Sequence, residues 1–236
     1  MNTYKENHIV RYSQADRNGR LKLRSLFDYF QDIAGEHAAL LNLSMEQLHE
    51  DDKAWMLSRI KVKIKRLPKI KEELELLTYP RGFDRFFARR EFRLYDKSGS
   101  LLSAASSLWL FLQVSDLKIL DAEKHLNKYM PDNSALDCAF AKLDKIIPKD
   151  LDFFQEYKIG ESKLDINKHL NNAEYATFIQ DYLGESCYPK ELQINYQNAV
   201  ALNEKVKISG WKEQNLFQLA GNLHDQVAFT AEGIMQ

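Results

Sequence analysis

Ser13-Gln14-Ala15-Asp16-Arg17-Asn18-Gly19-Arg20-Leu21 and Ser162-Lys163-Leu164-Asp165-Ile166-Asn167-Lys168-His169-Leu170 are two versions of one phrase, set 149 residues apart. At the same offset Gln31, Asp32, Gly35 and Glu36 recur as Gln180, Asp181, Gly184 and Glu185. The chain is therefore an internal duplication. Its copies part company where chemistry would sit, with Arg20, Lys22 and Leu23 in the first against His169, Asn171 and Asn172 in the second. The first copy reads as architecture, with Asp16 and Asn18 keeping an inherited turn and Arg20 blocking a second site, and the second reads as reactive.

Outward from each phrase the hydrophobic spacing changes period. Leu26, Phe27, Phe30, Ile33, Ala34, His37 and Leu41 fall three and four apart, as do Tyr175, Phe178, Ile179, Tyr182 and Leu183, which predicts a long central helix in each half. Alternation with period two then takes over, clearest in Lys61-Val62-Lys63-Ile64-Lys65 and Lys205-Val206-Lys207-Ile208-Ser209. Strands are predicted near 7–12, 55–66, 73–80, 86–95 and 101–113, and again near 153–159, 191–199, 204–212, 215–223 and 226–234. Asp96-Lys97-Ser98-Gly99 is a hairpin turn. Strand, helix and four strands, twice over, make an α+β protein in which two antiparallel sheets each wrap a buried helix and join side by side. Residues 1–116 form the first unit, 117–150 a connection with some local helix that is long enough to cross the molecule, and 151–236 the second unit.

Composition is that of an ordinary folded chain: 236 residues, 44% hydrophobic, 28% charged. Each half, at about 110–120 residues, is near the common domain size. A net charge of -1 gives no global reason for nucleic acid binding. Cys138 and Cys187 are too few for a disulfide framework or a zinc site, the N-terminus lacks the apolar stretch of a secretory signal, and Leu101 to Val114 is too short to span a bilayer. A soluble cytoplasmic protein without membrane insertion is expected. Two runs of cations, Lys61, Lys63, Lys65, Arg66, Lys69, Lys71 and then Arg81, Arg85, Arg89, Arg90, Arg93, read either as a solvated strand face or as a dock for an acidic partner. His37, in phase with Phe30 and Ile33, reads as a core or tunnel-lining histidine.

The chemistry-bearing segment, Asp165 to Asn172, precedes a helix, with Asn171 or Asn172 suited to cap it. Free N–H groups and the positive end of the helix dipole there polarise a carbonyl, and an imidazole supplies a base near neutral pH. Asp, Asn and Asn before a helix are equally what a plain turn uses.

The segment resembles the acyl-carrier-protein (ACP) thioesterases of the plant and bacterial type, whose D-x-N-x-H-x-x-N motif stands here as Asp165, Asn167, His169 and Asn172. The likeness extends through Phe30 to Ala38, Trp55 to Ile64, Arg89-Arg90-Glu91-Phe92 and Ser106-Ser107-Leu108-Trp109. It implies a tandem hot-dog enzyme that hydrolyses fatty acyl-ACP without metal or other cofactor. On that resemblance Asp165 orients the site, Asn167 holds the thioester carbonyl, His169 activates or positions water, and Asn171 and Asn172 contact substrate. The implied partner is acyl carrier protein with its acyl-phosphopantetheine, met by a monomer or a homodimer. The family's glutamate, and the cysteine that follows it in plant members, correspond to Ala199 and Val200, so Asn195, Gln197 or Asn198 is left to bind water there. That departure keeps two alternatives open: an acyl-CoA thioesterase, and a protein that binds acyl thioesters without turning them over.

Overall fold

The structure is a computed structural model and describes residues 2–184 and 187–236; Glu185, the repeat partner of Glu36, lies outside the described residues. In chain order the first half contains β1 (Tyr4–Ile9), α1 (Leu23–Leu40), α2 (Met45–Glu50), β2 (Lys53–Ile64), β3 (Glu73–Asp84), β4 (Phe87–Asp96) and β5 (Leu101–Gln113). The connection carries β6 (Ile119–Leu120) and α3 (Ala122–Leu126). The second half contains β7 (Asp152–Lys158), α4 (Glu174–Leu183), β8 (Pro189–Tyr196), β9 (Lys205–Glu213), β10 (Leu216–Leu223) and β11 (Gln226–Met235). Among the described residues the strands form one antiparallel sheet in the order β1-β3-β4-β5-β2-β8-β11-β10-β9-β7, with β6 added against β5. Each half repeats the same strand order outward from the centre, which is the α+β tandem hot-dog architecture.

Alternation decides which face is buried. In β2 and β8 the inward residues Ile60, Val62, Leu192 and Ile194 are buried, and they lie side by side because Ile60 pairs with Ile194 and Val62 with Leu192 across the seam. On this inner face α1 buries Leu26, Phe30 and Ile33, with the Phe30 ring 4.9 Å from that of Phe92 on β4. In the second half Tyr175 and Phe178 of α4 pack on Phe229 of β11. The hairpin at 96–99 forms as the sequence predicts: Asp96 Oδ1 accepts the N–H groups of Ser98 and Ser100, and Gly99 takes φ +81°.

Lys63, Lys65, Arg66, Lys69, Lys71 and Arg85 are exposed, as the reading of a solvated strand face expects, whereas the outer face of β4 departs from both readings at Arg89 and Arg93. Arg89, Glu91 and Arg93 alternate with inward-facing Arg90 and Phe92, and instead of meeting solvent or a partner they hold the connection down. Arg89 donates to the carbonyls of Phe140 and Ala141 (2.7 and 2.8 Å), Arg93 to that of Asp137 (3.2 Å), and Arg81 to those of Ser134 and Leu136. Arg59 of β2 takes Leu143, and Gln193 and Gln218 of the second half take Asp144 and Ile147. The connection, without secondary structure beyond α3, satisfies its carbonyls through this row of donors as it crosses from one half to the other.

Glu91 is the fixed point of the clasp. It is fully buried, and its Oε2 accepts the Ala139 N–H at 2.7 Å and the Ser106 hydroxyl at 2.8 Å, with Arg93 3.3 Å away. Burial pushes its carboxyl up from the usual range, against the pull of those donors and of Arg93 and Arg89. Glu91→Ala strands a buried guanidinium and a buried N–H, and is expected to cost about 3–5 kcal/mol. Urea denaturation reads that loss, and limited proteolysis should show earlier cleavage within residues 133–147.

Candidate functional site

The two repeated phrases fold into the same turn. In the first, Asp16 Oδ1 accepts the N–H groups of Asn18 (2.8 Å) and Arg20 (2.9 Å), and Asp16 N–H donates to the Arg20 carbonyl at 2.7 Å. In the second, Asp165 Oδ1 accepts those of Asn167 (2.9 Å) and His169 (3.2 Å), and Asp165 N–H donates to the His169 carbonyl at 2.8 Å. Gly19 takes φ +71° and its counterpart Lys168 takes φ +63°. A short acceptor side chain two and four residues ahead of the amides it binds is sufficient reason for an aspartate at both places. The shared turn delivers the chain to a helix start in each half.

What surrounds the two turns differs. At the first, the Leu23 N–H at the start of α1 donates to Gln180 Oε1 of α4 at 2.9 Å, and the Arg20 guanidinium lies 5.0 Å above the Tyr188 ring and 3.5 Å from Asp16. A hollow of about 390 Å³ remains there, and its rim is charged, with Asp16, Arg17, Arg20 and Lys22. At the second turn lies a cavity of about 400 Å³ with apolar walls. Ala34, Gly35 and Ala38 of α1 form one wall, Trp55 of β2, Ala88 of β4 and Trp109 of β5 form another, and Leu43, Met45 and Met130 complete it. Leu164, Asp165, Ile166, Asn167, Asn171 and Asn172 of the second half complete the lining.

The first helix thus supplies small residues to the lining, and beside them lies a polar pair made of Arg90 from β4 and His37 from α1. Arg90, on the cavity wall, donates from Nη1 to His37 Nδ1 (3.2 Å) and to Thr78 Oγ1 (3.2 Å). Burial lowers its pKa to about 10, which still leaves it charged at neutral pH. His37 is fully buried beneath it and stacks on Tyr4, in keeping with the core or tunnel-lining assignment.

Of the residues singled out in the sequence, Asp165, Asn167, Asn171 and Asn172 come together at the cavity. Helix α4 begins at Glu174, later than either asparagine predicts: Asn171 Oδ1 accepts the Ala173 N–H at 2.8 Å, so the asparagine closes a turn ahead of the helix, and the Asn172 carbonyl accepts from the Tyr196 hydroxyl at 3.1 Å. His169 stands apart. It is exposed, it is not among the residues lining the cavity, and its backbone bridges to Ala201 beside the exposed Ala199. A carboxylate does reach this strip, since Glu204 Oε2 accepts the Ala201 N–H at 2.6 Å. The polar residues assigned to water are otherwise engaged: Asn195 is bonded to Gln193 and Asp144, Gln197 to Thr230, and Asn198 to the Val227 carbonyl. Gln31, Trp55, Trp109 and Met130 belong to the lining and were not singled out, although the recurrence of Gln31 as Gln180 is visible in the repeat.

Because both aspartates perform the same backbone work, Asp16→Ala and Asp165→Ala are each expected to lower unfolding free energy by about 1.5–3 kcal/mol. Parallel chemical denaturation checks this; a marked inequality means that Asp165 is held for another reason.

Residues 1–129 match the model of the acyl-ACP thioesterase N-terminal domain, and residues 147–228 that of the acyl-ACP thioesterase C-terminal domain. The chain is 21% identical over 189 residues to acyl-[acyl-carrier-protein] hydrolase FATB2, chloroplastic, of Cuphea viscosissima, covering 75% of this chain and 46% of that protein. It is 24% identical over 212 residues to oleoyl-acyl carrier protein thioesterase, chloroplastic, of Coriandrum sativum, covering 81% and 57%. It spans about half the length of these curated relatives. The fold is similar over 99% of the chain to an acyl-ACP thioesterase from Bacteroides thetaiotaomicron (TM-score 0.89, 20% identity, 98% of that chain). It is similar over the same share to the 12:0-ACP thioesterase from Umbellularia californica (TM-score 0.85, 16% identity, 97% of that chain). With both halves matched in order along one chain, the protein belongs to the acyl-ACP thioesterase family.

Proposed function

We propose that the protein hydrolyses a fatty acyl thioester carried on the phosphopantetheine of acyl carrier protein, releasing free fatty acid and holo-ACP by water attack at the start of α4. The supporting observation is the shared cavity: an apolar pocket built by the first half ends on the Asp165–Asn172 turn of the second. An acyl chain is accepted by Ala34, Gly35, Ala38, Trp55 and Trp109, which places its thioester among Asn167, Asn171 and Asn172. Asp165 fixes the turn, the Asn167 amide holds the carbonyl, and the helix dipole favours the charge that develops on its oxygen. His169, exposed on the same turn, acts as the group that positions water and moves its proton. The water oxygen bonds to the carbonyl carbon, the carbon–sulfur bond breaks, and the thiol leaves with a proton.

Turnover measured on acyl-ACPs of graded chain length, against the same chains on CoA, is expected to favour ACP; a preference for CoA overturns the choice of carrier. His169→Ala is expected to lower kcat roughly tenfold or more with circular dichroism unchanged. If wild type and variant release fatty acid equally slowly, the protein binds acyl thioesters without turning them over, the reading that Ala199 favours. Ala199→Glu is expected to raise turnover by supplying an acid beside the His169 strip.

A further inference from the structure

The starts of the two long helices differ by one hydrogen bond. At α1 the Leu23 N–H donates to Gln180 Oε1 of the other half, at 2.9 Å. The repeat that sets Leu23 against Asn172 also sets Gln180 against Gln31, so the counterpart bond would run from the Asn172 N–H to Gln31. It is not made. Asn171 meets the needs of its neighbours, its Oδ1 taking the Ala173 N–H and its carbonyl the Glu174 N–H, and the Asn172 N–H is left without an acceptor among the described residues. The Gln31 side chain is likewise without a hydrogen-bond partner, and both residues line the 400 Å³ cavity. One half has closed this gap and the other has left it open onto the pocket.

We propose that Gln31 is a catalytic residue, and that its side-chain amide and the Asn172 N–H bind the carbonyl oxygen of the thioester alongside the Asn167 amide. This rests on the thioester hydrolysis proposed above and names the donors of that site. A glutamine amide has two N–H donors, so turning it presents Nε2–H toward an oxygen lodged in the gap. Two donors then meet one oxygen beside the positive end of α4, in a largely apolar enclosure where such bonds are strong. The oxygen gains negative charge as water bonds to the carbonyl carbon. It loses that charge when the carbon–sulfur bond breaks, the sulfur leaving with the proton the water gives up. Donors fixed before the reaction stabilise that charged state more than the neutral carbonyl. The side chain does not titrate, so its contribution is independent of pH.

The repeat supplies its own control. Steady-state kinetics on acyl-ACP are compared for wild type, Gln31→Ala, Gln31→Glu and Gln180→Ala. Gln31→Ala is expected to lower kcat about 10²-fold, with KM within about threefold and the pH profile unchanged in shape. Gln31→Glu, of the same shape but without the donor, should lose at least as much. Gln180→Ala is expected to do the reverse, lowering Tm by about 2–4 °C while leaving kcat as it was. A Gln31→Ala enzyme with kcat within about twofold of wild type, or one whose loss merely follows a reduced folded fraction, overturns the proposal. If wild type turns over no acyl-ACP, the functional reading fails instead. Gln31 is then judged by calorimetry with an acyl-pantetheine amide: a Kd weakened about tenfold by Gln31→Ala supports the proposal and an unchanged Kd overturns it.

Discussion

The pairing of β2 with β8 is the interaction on which everything else depends. Five residue pairs, from Arg59 with Asn195 to Lys63 with Glu191, turn two five-stranded sheets into one, and Lys61 adds an ion pair to Glu191 at 2.8 Å. Because the seam joins the last strand of each half's order, it brings both long helices onto one face, where Arg24 of α1 reaches Glu174 at the start of α4 (2.7 Å). The cavity exists only as a space between the halves. On the opposite face the connection ties the same junction, held by Arg59 from one side and by Gln193 and Gln218 from the other.

The repeated aspartate turn shows how the geometry beside the cavity arises from ordinary backbone bonding. Asp165 is occupied with the N–H groups of Asn167 and His169, as Asp16 is with those of Asn18 and Arg20, and neither arrangement needs a substrate to explain it. The difference lies in the neighbours: cations and an aromatic ring line the hollow at the first turn, while small and apolar residues line the one beside the second. Lys168 in the left-handed region, where the first copy has Gly19, is a conformation disfavoured by about 1–2 kcal/mol for a residue with a Cβ. The second turn tolerates it.

Much of the architecture is legible in the residues because it rests on local periodicity. The buried faces of α1 and α4, the alternation in β2 and β9, and the turn at Asp96 are each fixed by neighbours a few positions away. What escaped was set by distant contacts. Outward-pointing Arg89 and Arg93 look like solvent-facing cations until the connection, which has no period of its own, is seen to present its carbonyls to them. The helix start slipped to Glu174 because Asn171 spends its acceptor on a preceding turn. The exposure of His169 could not be read either, since it follows from the bridge to Ala201, some thirty residues further along. Asn195, Gln197 and Asn198 have the composition of a water site, but their partners are strands and linker.

Holding both halves in one chain has an evolutionary corollary. In a pair of identical subunits related by a two-fold axis, any substitution appears on both sides of the interface, so a change that strengthens one helix start also shuts the other. Here α1 has 18 residues and α4 has 10, and the glutamine that ties one junction makes no such bond at the other. Two copies in one chain can therefore diverge at one helix start without altering the other, which relaxes the usual trade between stability and an open site.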